Sequence, residues 1–157
     1  MTQTVNMSFE ESSYLKLNND NYLYELSNKI SNILNISSPE IIYQDIEEDA
    51  RYYNELNIIS INIEFINNDY EIKKCIYHEL RHKWYFDNLN KDSNDEDYIN
   101  LKSLLKEGDD AFNYEILEID AYAFMSKCLK EFDNIDYHHP NYIMDELIIR
   151  YKNKYLK

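Results

Sequence analysis

His78-Glu79-Leu80-Arg81-His82 sets two imidazoles four residues apart, with a carboxylate directly after the first. On a helix that spacing puts His78 and His82 on one face, one turn apart, where both can offer a ring nitrogen to a single cation. Glu79 stands beside that face without being forced into the coordination shell. Two fixed imidazole ligands and a carboxylate free to take a proton from water are what hydrolytic zinc chemistry needs. The plain structural account of the same residues is a helix with two satisfied histidines and a solvated glutamate. A catalytic zinc takes three protein ligands and leaves its fourth position to water, so the rest of the chain has to supply one more.

The motif lies in a stretch, residues 69–89, that carries Ile72, Cys75, Ile76, Leu80 and Trp84 at helical spacing, with Asp69 expected as the N-cap. Continuing past His82, Tyr85 and Asn88 occupy the places where a three-histidine site of the HExxHxxGxxH kind requires Gly and His. That type is excluded. The third ligand is then expected from a separate helix, and the long periodic stretch 110–132 offers Glu115, Glu118 and Asp120 within Tyr114-Glu115-Ile116-Leu117-Glu118-Ile119-Asp120-Ala121-Tyr122-Ala123-Phe124. Spacing alone leaves these three open.

Other elements must hold these helices. Residues 1–18 are polar and weakly patterned, and read as a loose arm or a short packing segment. Tyr22, Leu23, Leu26, Ile30, Ile33 and Leu34 recur at three and four, predicting an amphipathic helix with Asp20 as its cap, stopped at Ser37-Ser38-Pro39. Ile41-Ile42-Tyr43 reads as a short strand before an acidic turn, residues 45–49. Residues 51–53 and 58–63 alternate and are rich in β-branched side chains, predicting a hairpin. The stretch 58–66 is a candidate for an edge strand beside the motif helix, where an extended peptide could pair; a plain core strand is the equal alternative. Further helices are expected over 98–105 and from Pro140, as a first helical residue, to the end. The acidic residues 92–97 read as a solvated loop.

Composition narrows the function classes. The 157 residues suit one domain, and with one Gly and two Pro there is no flexible linker to divide them. Asp and Glu outnumber Lys and Arg by 30 to 16, a formal charge of −14. A surface this acidic repels phosphate backbones, so nucleic acid is not an expected partner; a basic protein surface is compatible. The two cysteines, Cys75 and Cys128, form no disulfide framework, which fits a reducing compartment. With no apolar run of about 18 residues and no apolar core near Met1, neither a membrane span nor a secretion signal is expected, and the predicted location is the cytoplasm.

The pairing of His-Glu-Leu-Arg-His with Glu-x-Asp-Ala-Tyr-Ala-Phe some tens of residues later resembles the small gluzincin-type zinc metallopeptidases, in particular the ImmA/IrrE-like and related phage or mobile-element peptidases. The resemblance covers roughly residues 50–125. It implies an α+β, zincin-like fold, with a small antiparallel or mixed sheet packed against the active-site helix and a second, ligand-bearing helix. It also implies Zn²⁺ held by His78, His82 and Glu118, with Ala121 as the small residue between helices and Glu79 as general base. The expected substrate is a protein or peptide, of which a regulatory repressor is the natural example. One position departs from the pattern. Four residues after the ligand, where an Asp or Asn often supports a zinc-bound histidine, stands Tyr122, and Asp120 is the nearby substitute.

The remaining chemistry-bearing residues have plainer readings. His138 and His139, with Tyr137, could supply an oxyanion donor, though a surface turn is the favoured account. Cys75 is expected in the core, Trp84 likewise, and Arg81 is expected to face solvent rather than pair with an acidic residue of the second helix. Two other functions remain: a non-catalytic acidic interaction protein with a zincin-like fold, and a metallo-hydrolase acting on something other than peptide.

Overall fold

Isoleucine-rich strands flanked by amphipathic helices give an α+β chain with a small mixed sheet. The structure is a computed structural model and describes residues 14–105 and 109–156. Among them are four strands, β1 (Tyr14–Lys16), β2 (Glu40–Gln44), β3 (Ala50–Tyr53) and β4 (Ile58–Asn62), and five α-helices: α1 (Tyr22–Leu34), α2 (Asp69–Leu89), α3 (Glu96–Leu104), α4 (Asp110–Asp133) and α5 (Tyr142–Tyr155). Two compact units divide the chain at residues 83 and 84, with α2 running through the division.

The first unit holds the sheet, in the order β1-β2-β4-β3. β2 and β4 are parallel neighbours, Ile42 opposite Ser60, while β1 and β3 flank them antiparallel. Because β2 and β4 are central, both of their faces are covered: Ile41, Ile42, Ile59 and Ile61 are all fully buried. The expected hairpin of β3 and β4 is present, closed through Asn57 in the left-handed region at φ 55°. Asparagine suits that conformation, which costs most residues steric strain.

Local chemistry explains why the chain passes from β2 to β3 as it does. Residues 45–49 cross over the end of β4, and the last residue of that strand, the buried Asn62, ties them down. Its Nδ2 donates to the Ile46 carbonyl at 3.0 Å and the Glu48 carbonyl at 3.2 Å, and its backbone N–H donates to the Asp49 carbonyl at 2.8 Å. Beneath, Ser60 donates to Gln44 at 2.8 Å, so the polar side chains inside the sheet satisfy one another.

Several expected boundaries shift by a residue or two. The expected loose arm lies outside the described residues up to residue 13, and its end is ordered: Tyr14–Lys16 pairs with β2 as β1. α1 is capped by Asn21, whose side chain accepts from the Leu23 N–H at 2.9 Å, not by Asp20. At α2 the Asn68 side chain accepts from the Glu71 N–H at 3.2 Å, so Asp69 is the first helical residue and not the cap. Leu23, Ser27, Ile30, Ser31 and Leu34 form the buried stripe of α1, in which two serines stand where larger side chains would hold the helix away.

In the second unit, Asp95 caps α3 by accepting from the Tyr98 N–H, and its other oxygen accepts from the Trp84 indole at 3.2 Å. The acidic stretch 92–97 is therefore partly structural, not simply a solvated loop. α4 starts at its Asp109 cap and ends at Asn134, left-handed at φ 54°, whose N–H returns to the Lys130 carbonyl. The segment after it folds back along α4, since Tyr137 stacks on Tyr122 at 6.3 Å between ring centres. Pro140 is not the first residue of the last helix. Asn141 caps α5 by accepting from the Ile143 and Met144 N–H groups, and Pro140 precedes the cap.

Candidate active site

The middle of α2 buries Ile76, Tyr77 and Leu80 completely, which fixes the rotation of the helix within its unit. That rotation sets His78, Glu79 and His82 together. Their ligand atoms all lie within 4.8 Å of one another, and theirs is the one group of three or more metal-ligating side chains among the described residues. His78 Nε2 and His82 Nε2 stand 3.2 Å apart, with the rings edge to face at 79°. Two ligand atoms about 2.1 Å from one tetrahedral zinc are separated by about 3.4 Å, so the pair fits a shared cation. Without a cation the same distance suits an N–H···N bond in which one ring donates.

Glu79 is 8% exposed, and among the described residues its carboxylate makes no hydrogen bond or ion pair. The residue as a whole is covered while its ligand atom is only partly so, which leaves the carboxylate open to a ligand or a proton. One turn earlier on the same face, the Cys75 thiol is buried, as expected for a core cysteine. Its pKa is driven far up by burial, then by the charges of Glu79 and Asp49. Cys75 stands outside the group of ligand atoms formed by His78, Glu79 and His82.

The edge-strand expectation is corrected. β4 is hydrogen-bonded on both sides, by β2 and by β3, and the chain leaves it at Asn62 for a short 3-10 turn, Ile63–Phe65. No extended peptide can pair with a strand whose two edges are filled. Among the described strands β1 and β3 are each paired on one side only, and of the two it is β3 that lies beside the motif helix. It runs along α2: Cys75 Sγ lies 3.7 Å from the Asp49 carbonyl at one end, and Lys83 Nζ stands 5.9 Å from the Tyr52 ring at the other. The His78–His82 turn falls between these two points. Asn62 bonds to Asp49, so by antiparallel alternation Arg51 and Tyr53 also face β4, and the backbone groups of Ala50 and Tyr52 face outward.

The residues expected from the second helix lie on α4 in the other unit. Glu118 is half-buried and Glu115 exposed. Asp120 is buried, and its Oδ1 accepts from the Tyr151 hydroxyl of α5 at 2.7 Å. Tyr122 packs against Tyr137 and, edge to face at 5.0 Å, against His139. His138 and His139 both serve the start of α5. His138 Nδ1 lies 3.0 Å from Asp145 Oδ2, the His139 N–H donates to Asp145 Oδ1 at 2.8 Å, and His139 Nδ1 accepts from the Asn141 N–H. This is the surface turn favoured from the sequence, with a defined local role.

Arg81 corrects a further expectation. It is 2% exposed rather than solvated, and Lys83 is 3% exposed. Their burial was invisible in a local pattern that reads as a polar helix face. The open edge of β3 was missed for a similar reason: strand order is not encoded in the alternation of either hairpin strand. The available signal was Asn62, a polar residue closing an apolar strand directly after the acidic turn it ties down.

No protein-family model, curated protein sequence or solved structure was found to match the chain.

Proposed function

We propose that the protein is a zinc-dependent peptidase of zincin-like fold, in which His78 and His82 hold the metal and Glu79 is the general base. The observation that carries this reading is the 3.2 Å approach of the two Nε2 atoms beside an uncommitted carboxylate. The open edge of β3 along the same stretch of α2 supports a peptide as the substrate. Glu118 enters as third ligand on the motif resemblance alone.

Bound zinc supplies Lewis acidity, polarising a carbonyl and making water a stronger acid. The protein's own residues do the rest. Glu79 accepts the proton that the attacking water loses and delivers it to the leaving amine nitrogen. The outward N–H and C=O groups of Ala50 and Tyr52 hold an extended peptide by strand addition, keeping its scissile bond alongside the motif turn. A cytoplasmic regulatory protein, such as a repressor of a phage or mobile element, is the substrate class that the motif resemblance suggests.

Metal analysis of the purified protein is expected to find about one zinc per chain, lost in His78→Ala and in His82→Ala. Glu79→Gln should keep the metal and lose cleavage by about 10²–10⁴-fold. Glu118→Ala should weaken zinc binding, whereas Glu115→Ala should not. A wild-type protein that takes up no zinc would end the proposal. Zinc uptake with salt-sensitive binding to a basic protein, no cleavage, and no effect of Glu79→Gln would favour an interaction protein instead.

A further inference from the structure

We propose that the cleft between the C-terminal ends of α4 and α5 is a binding site for a small phosphate-bearing anion. The inference stands apart from the peptidase reading, since none of its residues belongs to the His78–His82 turn.

The cleft has a volume of about 360 Å³ and is lined by Lys127, Lys130 and Glu131 of α4 and by Lys152, Asn153 and Leu156 at the end of α5. That size suits a small ligand. Three ammonium groups against one carboxylate run counter to a chain in which acidic residues outnumber basic ones by 30 to 16. Helical spacing gathers them: Lys130 and Glu131 follow Lys127 by three and four residues, and Leu156 follows Lys152 by four.

Lys152 is held from within the fold. It is half-buried, and its Nζ donates at 3.1 Å to the hydroxyl of Ser126, a residue 3% exposed. One of its ammonium donors is spent there and two remain. Lys127 is half-buried too, and among the described residues it makes no hydrogen bond or ion pair, not even with Glu131 one turn on. Lys130 pairs at 3.2 Å with Asp136, but the two side chains are 54% and 75% exposed, and a pair so open to water yields readily to a bound anion.

Lysines near a helix C-terminus often offset its dipole, yet here the backbone closes both ends without them. The Asn134 and Ile135 N–H groups return to the Lys130 and Leu129 carbonyls at 3.1 and 3.0 Å, and the Leu156 N–H returns to the Lys152 carbonyl at 3.0 Å. Ammonium groups gathered around one cleft repel one another, and a phosphate dianion relieves that repulsion while accepting from each. The lysine stems and Leu156 offer apolar surface to the body of a ligand. The formal charge of −14 repels an extended polyanion, whereas a small anion inside the cleft meets the lysines at close range.

The test follows amide NMR spectra of the full chain titrated with glycerol phosphate, inorganic phosphate and glycerol. Both phosphates are expected to give saturable shifts centred on residues 126–131 and 152–156, and glycerol none. Tighter binding of glycerol phosphate assigns the site to an organic phosphate, and tighter binding of inorganic phosphate to the free ion. Lys127→Gln combined with Lys152→Gln should weaken binding by about tenfold or more. Lys29→Gln combined with Lys91→Gln, an equal loss of charge on exposed lysines elsewhere, should change it by less than about twofold. If the first pair fails to fold, Lys127→Gln alone, which breaks no contact, should still weaken binding by about threefold or more. Shifts that do not saturate, that fall outside the cleft, that sodium chloride at matched ionic strength reproduces, or that survive the Lys127 and Lys152 changes overturn the proposal.

Discussion

Backbone geometry brings His78 and His82 one helical turn apart, but the burial of His78 and the partial cover of His82 come with Ile76, Tyr77 and Leu80, which turn that part of α2 inward. Glu79 shares this environment by position. At this scale Asn62 is the residue with most at stake outside the motif, since its side chain answers two carbonyls of the turn at 3.0 and 3.2 Å. Asn62→Ala is expected to cost about 1 kcal/mol in urea unfolding, because two part-buried carbonyls lose their donor. Asn62→Asp should cost more, as it sets a carboxylate against the same two oxygens. Cys75 gives a contrasting expectation: with its thiol pKa driven upward by burial, it should resist alkylation at neutral pH in the native protein and react once urea unfolds the chain.

Helix caps account for much of what holds the elements in register. Asn21, Asn68, Asp95, Asp109 and Asn141 each accept from a backbone N–H in the first turn of a helix. Asn141→Ala is expected to cost about 1 kcal/mol, with the loss confined to α5 and read by faster amide exchange in its first turn. Asp145 makes a pH-dependent version of the same test. The His139 N–H, followed by the His138 side chain, holds its carboxyl below the ordinary range. A depressed folded pKa means that the contribution is complete above the unfolded value and disappears as pH falls through the folded one. Protection of the His139 amide should therefore fall in acid, below about pH 4, in the wild type. Asp145→Asn should have low protection at all pH values.

Over the whole molecule the formal charge of −14 is the dominant electrostatic fact. Like charges repel in the folded chain, and salt screens them over about 10 Å at 0.1 M. Raising NaCl to roughly 0.5 M is expected to raise the thermal midpoint by about 2–5 °C, whereas a chain held by surface ion pairs would be destabilised. Surface pairs such as Lys16 with Glu40 at 3.4 Å are too exposed to reverse that sign. No described helix is long and apolar enough to cross a membrane.

Short-range pattern carried the motif, the extent of α2 and the α+β class, because a helix spacing of four and the alternation of a strand are properties of neighbours along the chain. The His78–His82 face was legible from residue types alone, and so was the hairpin of β3 with β4. That β4 is a central strand was not, since it depends on β2 choosing β4 as a parallel neighbour, a pairing of residues about eighteen apart whose side chains alternate no differently from those of an edge strand. Burial of Arg81 and Lys83 was likewise decided by tertiary packing: their local sequence reads as a solvated helix face, yet both are almost fully covered. The same holds for the acidic turn. Its charges are plain in the sequence, but only the folded chain sets Asn62 beneath it and Cys75 beside it.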